Sequence, residues 1–393
     1  MMKWRYILTA LFAAAQFPFV TGISQAAPIN NDLRYRVTTV PDLPGGPANI
    51  FATDINNQGY ISGMMSIGDF RDRGFVWHDG EYSLLEPLPG YESSYASAIN
   101  SANWIAGTSI LCAPERCTGE FELRATLWRP SGTGYVAVDL GLPSAPAEDS
   151  VAIGINDGGQ IVGRSNTIGP AFATGFQWDD EDVTLLNPLP GGDVAVPNDI
   201  NSQGQAVGFS RDFSDSGTGD TAVLWENGTT SVLFPGGASA INDSGQIVGS
   251  SGEFPNFKPI LWENGITTEL PAPPSSYVID INNPGLAVGV ISDLGFDQNG
   301  AAIWNPGIGP VMRLDELIDP DLGLDFYRAD AINDAGVILA GARGDFANFY
   351  ILTPVEVPAP GTAALIIPGF LMLYRVRRSG NGHEDTRIKS HRR

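Results

Sequence analysis

The chain has 393 residues, of which 43% are hydrophobic and 17% are charged, and this composition excludes a disordered polyelectrolyte. Its 47 glycines and 29 prolines are typical of many short strands joined by tight turns, and they argue against a helical bundle. The formal net charge of −22 leaves no basic surface that could neutralise phosphates, so we expect no nucleic-acid partner.

The N-terminus has the pattern of a secretory signal peptide. Lys3 and Arg5 precede an apolar run at 7–20, after which small residues lead to Ala26. We expect cleavage after Ala26, with cleavage after Ala27 as the alternative. The apolar run is shorter than the roughly 20 residues that span a bilayer, so a retained membrane anchor is the less favoured interpretation.

The body of the chain contains one turn motif seven times. Copies of Ile-Asn-x-x-Gly begin at Ile55, Ile155, Ile200, Ile241, Ile281 and Ile332, and a seventh copy at Ile99 has Asn103 in place of glycine. Asn at the first position can bond the backbone two residues on, and Gly at the fourth can take positive φ. Each copy therefore predicts a hairpin with a type I turn and a G1 bulge. Pro284 is disfavoured at the third position, so a different turn is expected there.

Each turn leads into two further strands. The second strand is a short apolar stretch that ends in glycine, and its last copy, at 338–341, is one residue longer, which predicts a bulge. The third strand ends in an aromatic residue in every copy: Trp77, Trp128, Trp178, Trp225, Trp262, Trp304 and Tyr350. Packing between neighbouring sheets is the favoured interpretation of these aromatics, and a cofactor or base-stacking site is the alternative.

Seven units of roughly 40–50 residues with four strands each predict an all-β, seven-bladed β-propeller over residues 30–352. A strand at 35–44 precedes the first Ile-Asn motif, whereas the last unit, which ends at Tyr350, has no fourth strand after it. We therefore expect the N-terminal strand to complete the last blade and close the ring.

The repeats resemble the extracellular HAF repeat family, which is named for a His-Ala-Phe run before the Trp. The resemblance covers about 30–352 and depends on the Ile-Asn-x-x-Gly and Trp elements in combination. The family's histidine is replaced in every copy, by Arg73, Arg124, Thr174, Thr221, Lys258, Gly300 and Phe346. A ring of histidine ligands is thus excluded, and the resemblance implies an exported protein without established chemistry.

Residues 353–378 resemble the PEP-CTERM sorting signal of Gram-negative bacteria, with Pro-Ala-Pro in place of Pro-Glu-Pro. The residues that carry this resemblance are Val357, Pro358, Ala359, Pro360, Arg375, Arg377 and Arg378, on either side of one apolar segment. The resemblance implies that an exosortase-type enzyme cuts near the motif and releases the protein to the cell surface or extracellular matrix. Before cleavage, 355–374 is just long enough for a membrane-spanning apolar helix. The basic tail at 379–393 then stays in the cytoplasm by the positive-inside rule.

Two features of the body suggest local sites. Cys112 and Cys117 predict a disulfide within one loop, with a metal or redox pair as the alternative. Asp212, Asp215 and Asp220 lie in a loop that contains glycines and offer the hard oxygen ligands that Ca²⁺ takes. Their spacing is not that of an EF-hand, so a solvated loop is favoured over a calcium site, and no other cofactor is expected.

No catalytic set stands out in the sequence. His78 is the only histidine between the two terminal segments, and no nucleophile, phosphate-binding or dinucleotide motif is present. We therefore expect a non-enzymatic surface or matrix protein that binds an extracellular polysaccharide or another surface protein through loops on one face of the ring. The alternative is an extracellular glycan hydrolase or lyase with catalytic carboxylates near the mouth of the channel.

Overall fold

The computed structural model describes residues 33–40, 49–67, 72–111, 122–142, 149–166, 173–180, 182–213, 219–252, 256–292, 299–306 and 309–355. These residues form seven four-stranded antiparallel sheets, and within each sheet consecutive strands pair with one another. The predicted seven-bladed propeller with four-stranded blades is therefore confirmed. The two terminal segments, the cysteine pair and the C-terminal apolar helix lie outside the described residues.

The strands follow one another from the channel outward in each blade. Blade 1 contains β2 (Ile50–Ile55), β3 (Ile61–Ser66), β4 (Asp72–His78) and β5 (Glu81–Leu85); blade 2 contains β6 (Ser93–Ile99), β7 (Ile105–Leu111), β8 (Glu122–Ser131) and β9 (Gly134–Asp139). Blade 3 contains β10 (Ser150–Ile155), β11 (Ile161–Ser165), β12 (Thr174–Asp179) and β13 (Asp182–Leu186); blade 4 contains β14 (Val194–Ile200), β15 (Ala206–Arg211), β16 (Thr221–Glu226) and β17 (Thr229–Pro235).

The remaining blades repeat the same order. Blade 5 contains β18 (Gly237–Ile241), β19 (Ile247–Ser251), β20 (Lys258–Glu263) and β21 (Ile266–Glu269). Blade 6 contains β22 (Tyr277–Ile281), β23 (Ala287–Ser292), β24 (Asn299–Trp304) and β25 (Met312–Arg313), and two short 3-10 helices follow it, Leu314–Leu317 and Pro320–Leu322. Blade 7 contains β26 (Phe326–Ile332), β27 (Ile338–Ala342), β28 (Asp345–Val355) and, from the start of the chain, β1 (Arg34–Thr39). Within the described ranges no helix is long and apolar enough to cross a membrane.

The ring is closed by the N-terminal strand, as predicted. β1 pairs antiparallel with β28, from Arg34 opposite Val355 to Thr39 opposite Tyr350. Tyr35 is only 4% exposed and packs in the core of blade 7. The last blade therefore takes its outermost strand from the other end of the chain, so both ends must be in place before this sheet is complete.

All seven turns have the hydrogen bond from the fourth residue of the turn to the asparagine carbonyl. In the first copy the Gly59 N–H donates to the Asn56 carbonyl at 3.0 Å, and Gly59 has φ +82°. Asn103 replaces the glycine with φ +58°. The prediction at Pro284 was wrong, because Gly285 still donates to the Asn282 carbonyl at 2.9 Å. Tertiary hydrogen bonds of Asn282 to the next blade, described below, outweigh the local preference of proline.

Aromatic residues at the third-strand position fill the space between blades, as predicted. Trp128 is fully buried, and its Nε1 donates to the carbonyl of Glu86 in the preceding blade at 2.7 Å. Trp225 makes the equivalent bond to Asn187. Tight packing also explains the repeated glycine of the second strand. A Cβ added at Gly163 would lie 2.1 Å from the carbonyl oxygen of Val151 on the neighbouring strand.

Candidate functional site at the wide mouth of the channel

The innermost strand of every blade contains a bulge at the same position, three residues before the turn asparagine. The bulged residues are Thr53, Ser97, Ile153, Asn198, Ser239, Ile279 and Asp330. A bulge re-aims a side chain and increases the local twist of its strand. All but one of these seven residues, Ser239 being the exception, line one large cavity in the channel.

A ring of asparagine side chains narrows the opposite end of the channel. The Nδ2 atom of each turn asparagine donates to the main-chain carbonyl of the equivalent asparagine in the next blade, at 2.8–3.2 Å. The ring runs through Asn56, Asn100, Asn156, Asn201, Asn242, Asn282 and Asn333 and then returns to Asn56. The cavity on this side is only about 180 Å³, and its polar groups largely bond to one another, so we assign this end a structural role.

Three half-buried carboxylates form a layer between the asparagine ring and the bulges. Asp54 accepts hydrogen bonds from the N–H of Ile55 and from the N–H of Ile99 in the next blade. Asp199 and Asp280 make the same two kinds of bond. Burial raises the pKa of Asp54 to about 7, that of Asp199 to about 8 and that of Asp280 to about 6.

The three aspartates lie in blades 1, 4 and 6, and the next blade carries alanine at the same position each time: Ala98, Ala240 and Ala331. Two neighbouring blades therefore never both place an acid in this layer, which limits the repulsion between like charges. Because both oxygens of each carboxylate bond to backbone N–H groups, the layer serves to join the blades.

The wide mouth of the channel is a cavity of about 850 Å³. Its aromatic lining includes Phe51, Tyr95 and Tyr327, and its charged lining consists, among the described residues, of Arg164, Arg328 and Asp330. Phe51 is 47% exposed, although large aromatic side chains are usually buried. A concave cavity with apolar walls and a few polar groups is the usual form of a small-molecule binding site.

Asp330 departs from the role that the bulge has in other blades. Thr53, Ser97 and Asn198 each donate a hydrogen bond to a main-chain carbonyl of the next blade, at 2.7–3.1 Å. An ionised carboxylate cannot donate, and Asp330 instead pairs with Arg328, with Nε and Oδ1 2.5 Å apart. Burial raises the pKa of Asp330. A residue that breaks the repeat and carries a shifted pKa in a cavity is a candidate for function.

An additional bulge places Tyr327 in the mouth. β26 has a second register shift, between Phe326 and Arg328, and Tyr327 is its extra residue opposite the consecutive residues Gly341 and Ala342 of β27. A Cβ added at Gly341 would lie 2.9 Å from the Tyr327 ring, so glycine leaves the space that this ring occupies. The bulge predicted at 338–341 from the longer last repeat was wrong, because these four residues pair one by one with Leu352 to Phe349 of β28. The extra residue lies instead in β26, where it shapes the cavity.

The mouth also contains tyrosine hydroxyls that stay protonated. Burial raises the pKa of Tyr95 and Tyr327. It also raises that of Tyr277, which lies beside the cavity near Arg328 and Asp330. These groups are therefore hydrogen-bond donors at neutral pH.

The sequence-predicted sites lie elsewhere. Asp220 forms a bidentate ion pair with Arg211, at 2.5 and 2.8 Å, Asp212 lies nearby in the chain, and Asp215 is outside the described residues. No cluster of three metal-ligating side chains occurs within the described part of the chain, and the calcium loop stays a prediction. Cys112, Cys117 and all seven sorting-signal residues also lie outside it. His78 ends β4 and stacks on Tyr60, with ring centroids 3.8 Å apart.

Sequence reasoning did not identify the bulged position. The available signal was the residue three before each turn asparagine, which is neutral in six copies and acidic only at Asp330. Its importance depends on the bulge, which turns this side chain toward the channel.

No protein-family model matches the sequence, and no curated protein matches it. Among solved structures, an acylaminoacyl peptidase from Pyrococcus horikoshii is similar at 15% identity and a TM-score of 0.45, covering 67% of this chain and 46% of that chain. TolB from Acinetobacter baumannii is similar at 14% identity and a TM-score of 0.40, and the match covers 83% of this chain and 65% of the TolB chain. A puromycin hydrolase is similar at 13% identity and a TM-score of 0.45, and the match covers 76% of this chain and 50% of the hydrolase chain. This chain thus spans less than two thirds of each of these proteins, and none of their activities is transferred to it.

Proposed function

We propose that the protein binds a saccharide in the wide mouth of its channel and does not catalyse a reaction. The observation that carries this proposal is the convergence of the exposed ring of Phe51, half-buried tyrosines with protonated hydroxyls and one Arg–Asp pair on a single cavity. A sugar ring presents an apolar C–H face, which packs on an aromatic ring, and a rim of hydroxyls, which need donors and acceptors.

The lining provides both kinds of contact. Phe51 and Tyr327 offer ring surface, Tyr95 donates, and Asp330 accepts hydrogen bonds while Arg328 holds it in place. The volume of about 850 Å³ lies within the range of roughly 300–1,000 Å³ that is usual for small-ligand sites. One or two sugar residues at the end of a polysaccharide therefore fit the cavity better than a folded protein does.

The described lining favours binding over glycoside hydrolysis. Most glycoside hydrolases use two carboxylates on either side of the scissile bond, and Asp330 is the single carboxylate among the described residues that line this cavity. The acids of the next layer, such as Asp199, have both oxygens engaged by backbone N–H groups. A carboxylate-dependent hydrolase or lyase is the competing function, and the experiment below separates the two.

A glycan-array screen of the purified propeller, combined with an assay for released reducing ends, tests the proposal. We expect binding of at least one saccharide class without turnover. Turnover that disappears in Asp330→Asn would instead establish the hydrolase or lyase. Absence of binding to any saccharide would overturn the proposal.

A space-filling variant locates the site. Gly237 holds the register position of Phe51 and Tyr95 in blade 5, and a Cβ added there meets nothing within 4 Å. Gly237→Trp should therefore block the mouth and abolish binding without unfolding the ring. The matched control is Gly134→Trp at the outer rim of blade 2, where an added Cβ also meets nothing within 4 Å, and it should bind as the native chain does.

We also propose that the chain is exported and sorted to the bacterial surface through its two terminal segments. The support is the signal-peptide pattern at 1–26 and the likeness of 353–378 to the PEP-CTERM signal. Mass spectrometry of secreted and membrane fractions should find the propeller outside the cell without residues 375–393, and replacing Arg375, Arg377 and Arg378 by Ser should weaken membrane retention. An intact 375–393 peptide on the soluble extracellular protein would contradict this.

A further inference from the structure

Among the residues that the structure describes, the guanidinium of Arg164 lines the wide mouth without a carboxylate partner. Its recorded polar contact is the neutral side chain of Asn166, with Nη1 and Oδ1 3.3 Å apart. No described carboxylate lies within 4.0 Å of it. Residues 167–172, which come next in the sequence, include no Asp or Glu.

Arg164 is an exception among the described cations. Eight of them each have a carboxylate within 4.0 Å: Arg73, Arg124, Arg129, Arg211, Lys258, Arg313, Arg328 and Arg343. Residues 28–356 contain 42 acidic and 13 basic residues, so acidic partners are abundant. Arg36 lies at an exposed position of β1, where water solvates a charge. Arg164 is half-buried in the cavity, where an unpaired charge costs free energy.

We propose that the ligand of the wide mouth is an anionic saccharide whose carboxylate pairs with Arg164. This inference rests on the proposed saccharide-binding function and adds the class of sugar, a uronic acid. The planar guanidinium matches the two oxygens of a carboxylate through parallel hydrogen bonds. The other arginine of the lining, Arg328, is already neutralised by Asp330. Arg328 and Arg164 therefore have different roles, and only Arg164 is assigned to the carboxylate of the ligand.

The surroundings of Arg164 suit one end of such a ligand. On the adjacent blade 2, Tyr95 lines the same cavity, and its hydroxyl makes no hydrogen bond to any described residue. Val151 is paired with Arg164 across β10 and β11 and contributes apolar surface. A uronate can therefore place its carboxylate on Arg164 and donate or accept a hydroxyl bond at Tyr95, while its remaining hydroxyls reach Asp330 and Asn198.

The acidic surface of the protein does not exclude such a ligand. At physiological ionic strength the screening length is about 8 Å, so exposed carboxylates beyond that distance contribute little at the mouth. A direct guanidinium–carboxylate contact in a partly desolvated cavity is screened far less. The wide mouth is thus a place where an anion is bound by local contacts.

Calorimetric titration of the purified propeller with tri-galacturonic acid and with its methyl ester tests this inference, because esterification replaces each carboxylate by a neutral group that cannot pair with Arg164. We expect the acid to bind at least ten-fold more tightly than the ester. Arg164→Gln should weaken binding of the acid by ten-fold or more and leave binding of the ester within two-fold. Arg164→Lys should retain part of the preference, and Arg36→Gln, which removes a charge far from the cavity, should bind as the native chain does.

The outcomes separate this inference from the function on which it rests. Equal affinity for acid and ester, or unchanged acid binding in a folded Arg164→Gln variant, would overturn the uronate assignment and leave saccharide binding intact. Preference for a sulfated saccharide over the uronate would also overturn it. Binding of no saccharide of any charge would overturn both proposals. If Arg164→Gln does not fold, the acid–ester comparison on the native chain decides.

Discussion

The side-chain amide of Asn333 donates to the main-chain carbonyl of Asn56 at 3.1 Å, although the two residues are 277 positions apart in the chain. This bond joins the last blade to the first at the narrow end of the channel. The pairing of β1 with β28 joins the two ends of the chain at the outer rim of blade 7. The propeller is therefore closed in two places, by side chains near the central channel and by a strand at the outer edge of blade 7.

Removing one member of the asparagine ring should destabilise the whole propeller. In Asn201→Ala the turn loses the acceptor for the N–H groups of Gln203 and Gln205, and the Asn242 carbonyl loses its donor from blade 4. Unsatisfied buried groups cost about 1–3 kcal/mol each. We expect urea unfolding to show a loss of about 3 kcal/mol. Gln203→Ala, at an exposed side chain of the same turn, is the control, and equal stability of the two variants would contradict the ring's role.

The N-terminal strand should be required for cooperative unfolding. Tyr35→Ala removes a side chain that is 4% exposed in the core of blade 7, and truncation of a large buried aromatic costs about 3–5 kcal/mol. Arg36→Ala, at the next and exposed position, should change the melting temperature little. Deletion of residues 28–46 should abolish the cooperative transition, whereas an unchanged melting curve would show that blade 7 is stable without β1.

Two tryptophans at the same repeat position should differ in their contribution to stability. Trp128 is fully buried and donates to the Glu86 carbonyl in the preceding blade, whereas Trp262 is only half-buried. Trp128→Phe removes buried volume and leaves that carbonyl without its donor, so the free energy of unfolding should fall by about 2 kcal/mol. Trp262→Phe should cost less than half as much. Equal losses in chemical denaturation would mean that the bond to Glu86 contributes nothing.

The layer of half-buried aspartates should make the protein more stable in mild acid than in mild base. The pKa values of Asp54, Asp199 and Asp280 are raised to about 7, about 8 and about 6, compared with about 3.9 in an unfolded chain. Between these limits the folded state holds more protons than the unfolded state, so stability falls as pH rises. The contribution of the three aspartates to the free energy of unfolding is complete below about pH 4, and it is lost as the pH rises through 6 to 8.

Thermal melts from pH 5 to pH 8.5 measure this effect. The melting temperature should decrease over the range, and Asp199→Asn should flatten the decrease, because the pKa of Asp199 is raised the most of the three. Glu81→Gln, at an exposed position of β5, should leave the slope unchanged. A melting temperature that rises with pH over this range would contradict the raised pKa values.

Blade number, strand order and ring closure could all be predicted from the amino-acid sequence. Ile-Asn-x-x-Gly forces a local hairpin wherever it occurs, since Asn and Gly have conformational preferences that depend only on nearby residues. The repeat spacing and the strand count then predict that β1 completes blade 7, because the last repeat has no fourth strand of its own. At Pro284 the local preference failed, because the bond from Asn282 to Asn333 in the next blade is tertiary.

The location of the ligand-binding cavity, in contrast, depends on contacts between blades that the sequence does not reveal. Phe51, Tyr95, Arg164 and Asp330 come from four blades and converge because bulges and ring closure place them at one mouth. A bulge depends on the register between two strands, which neither the composition nor the motif spacing specifies. Whether an arginine such as Arg164 has a carboxylate beside it is likewise a property of the folded ring, since its possible partners lie on other strands and other blades.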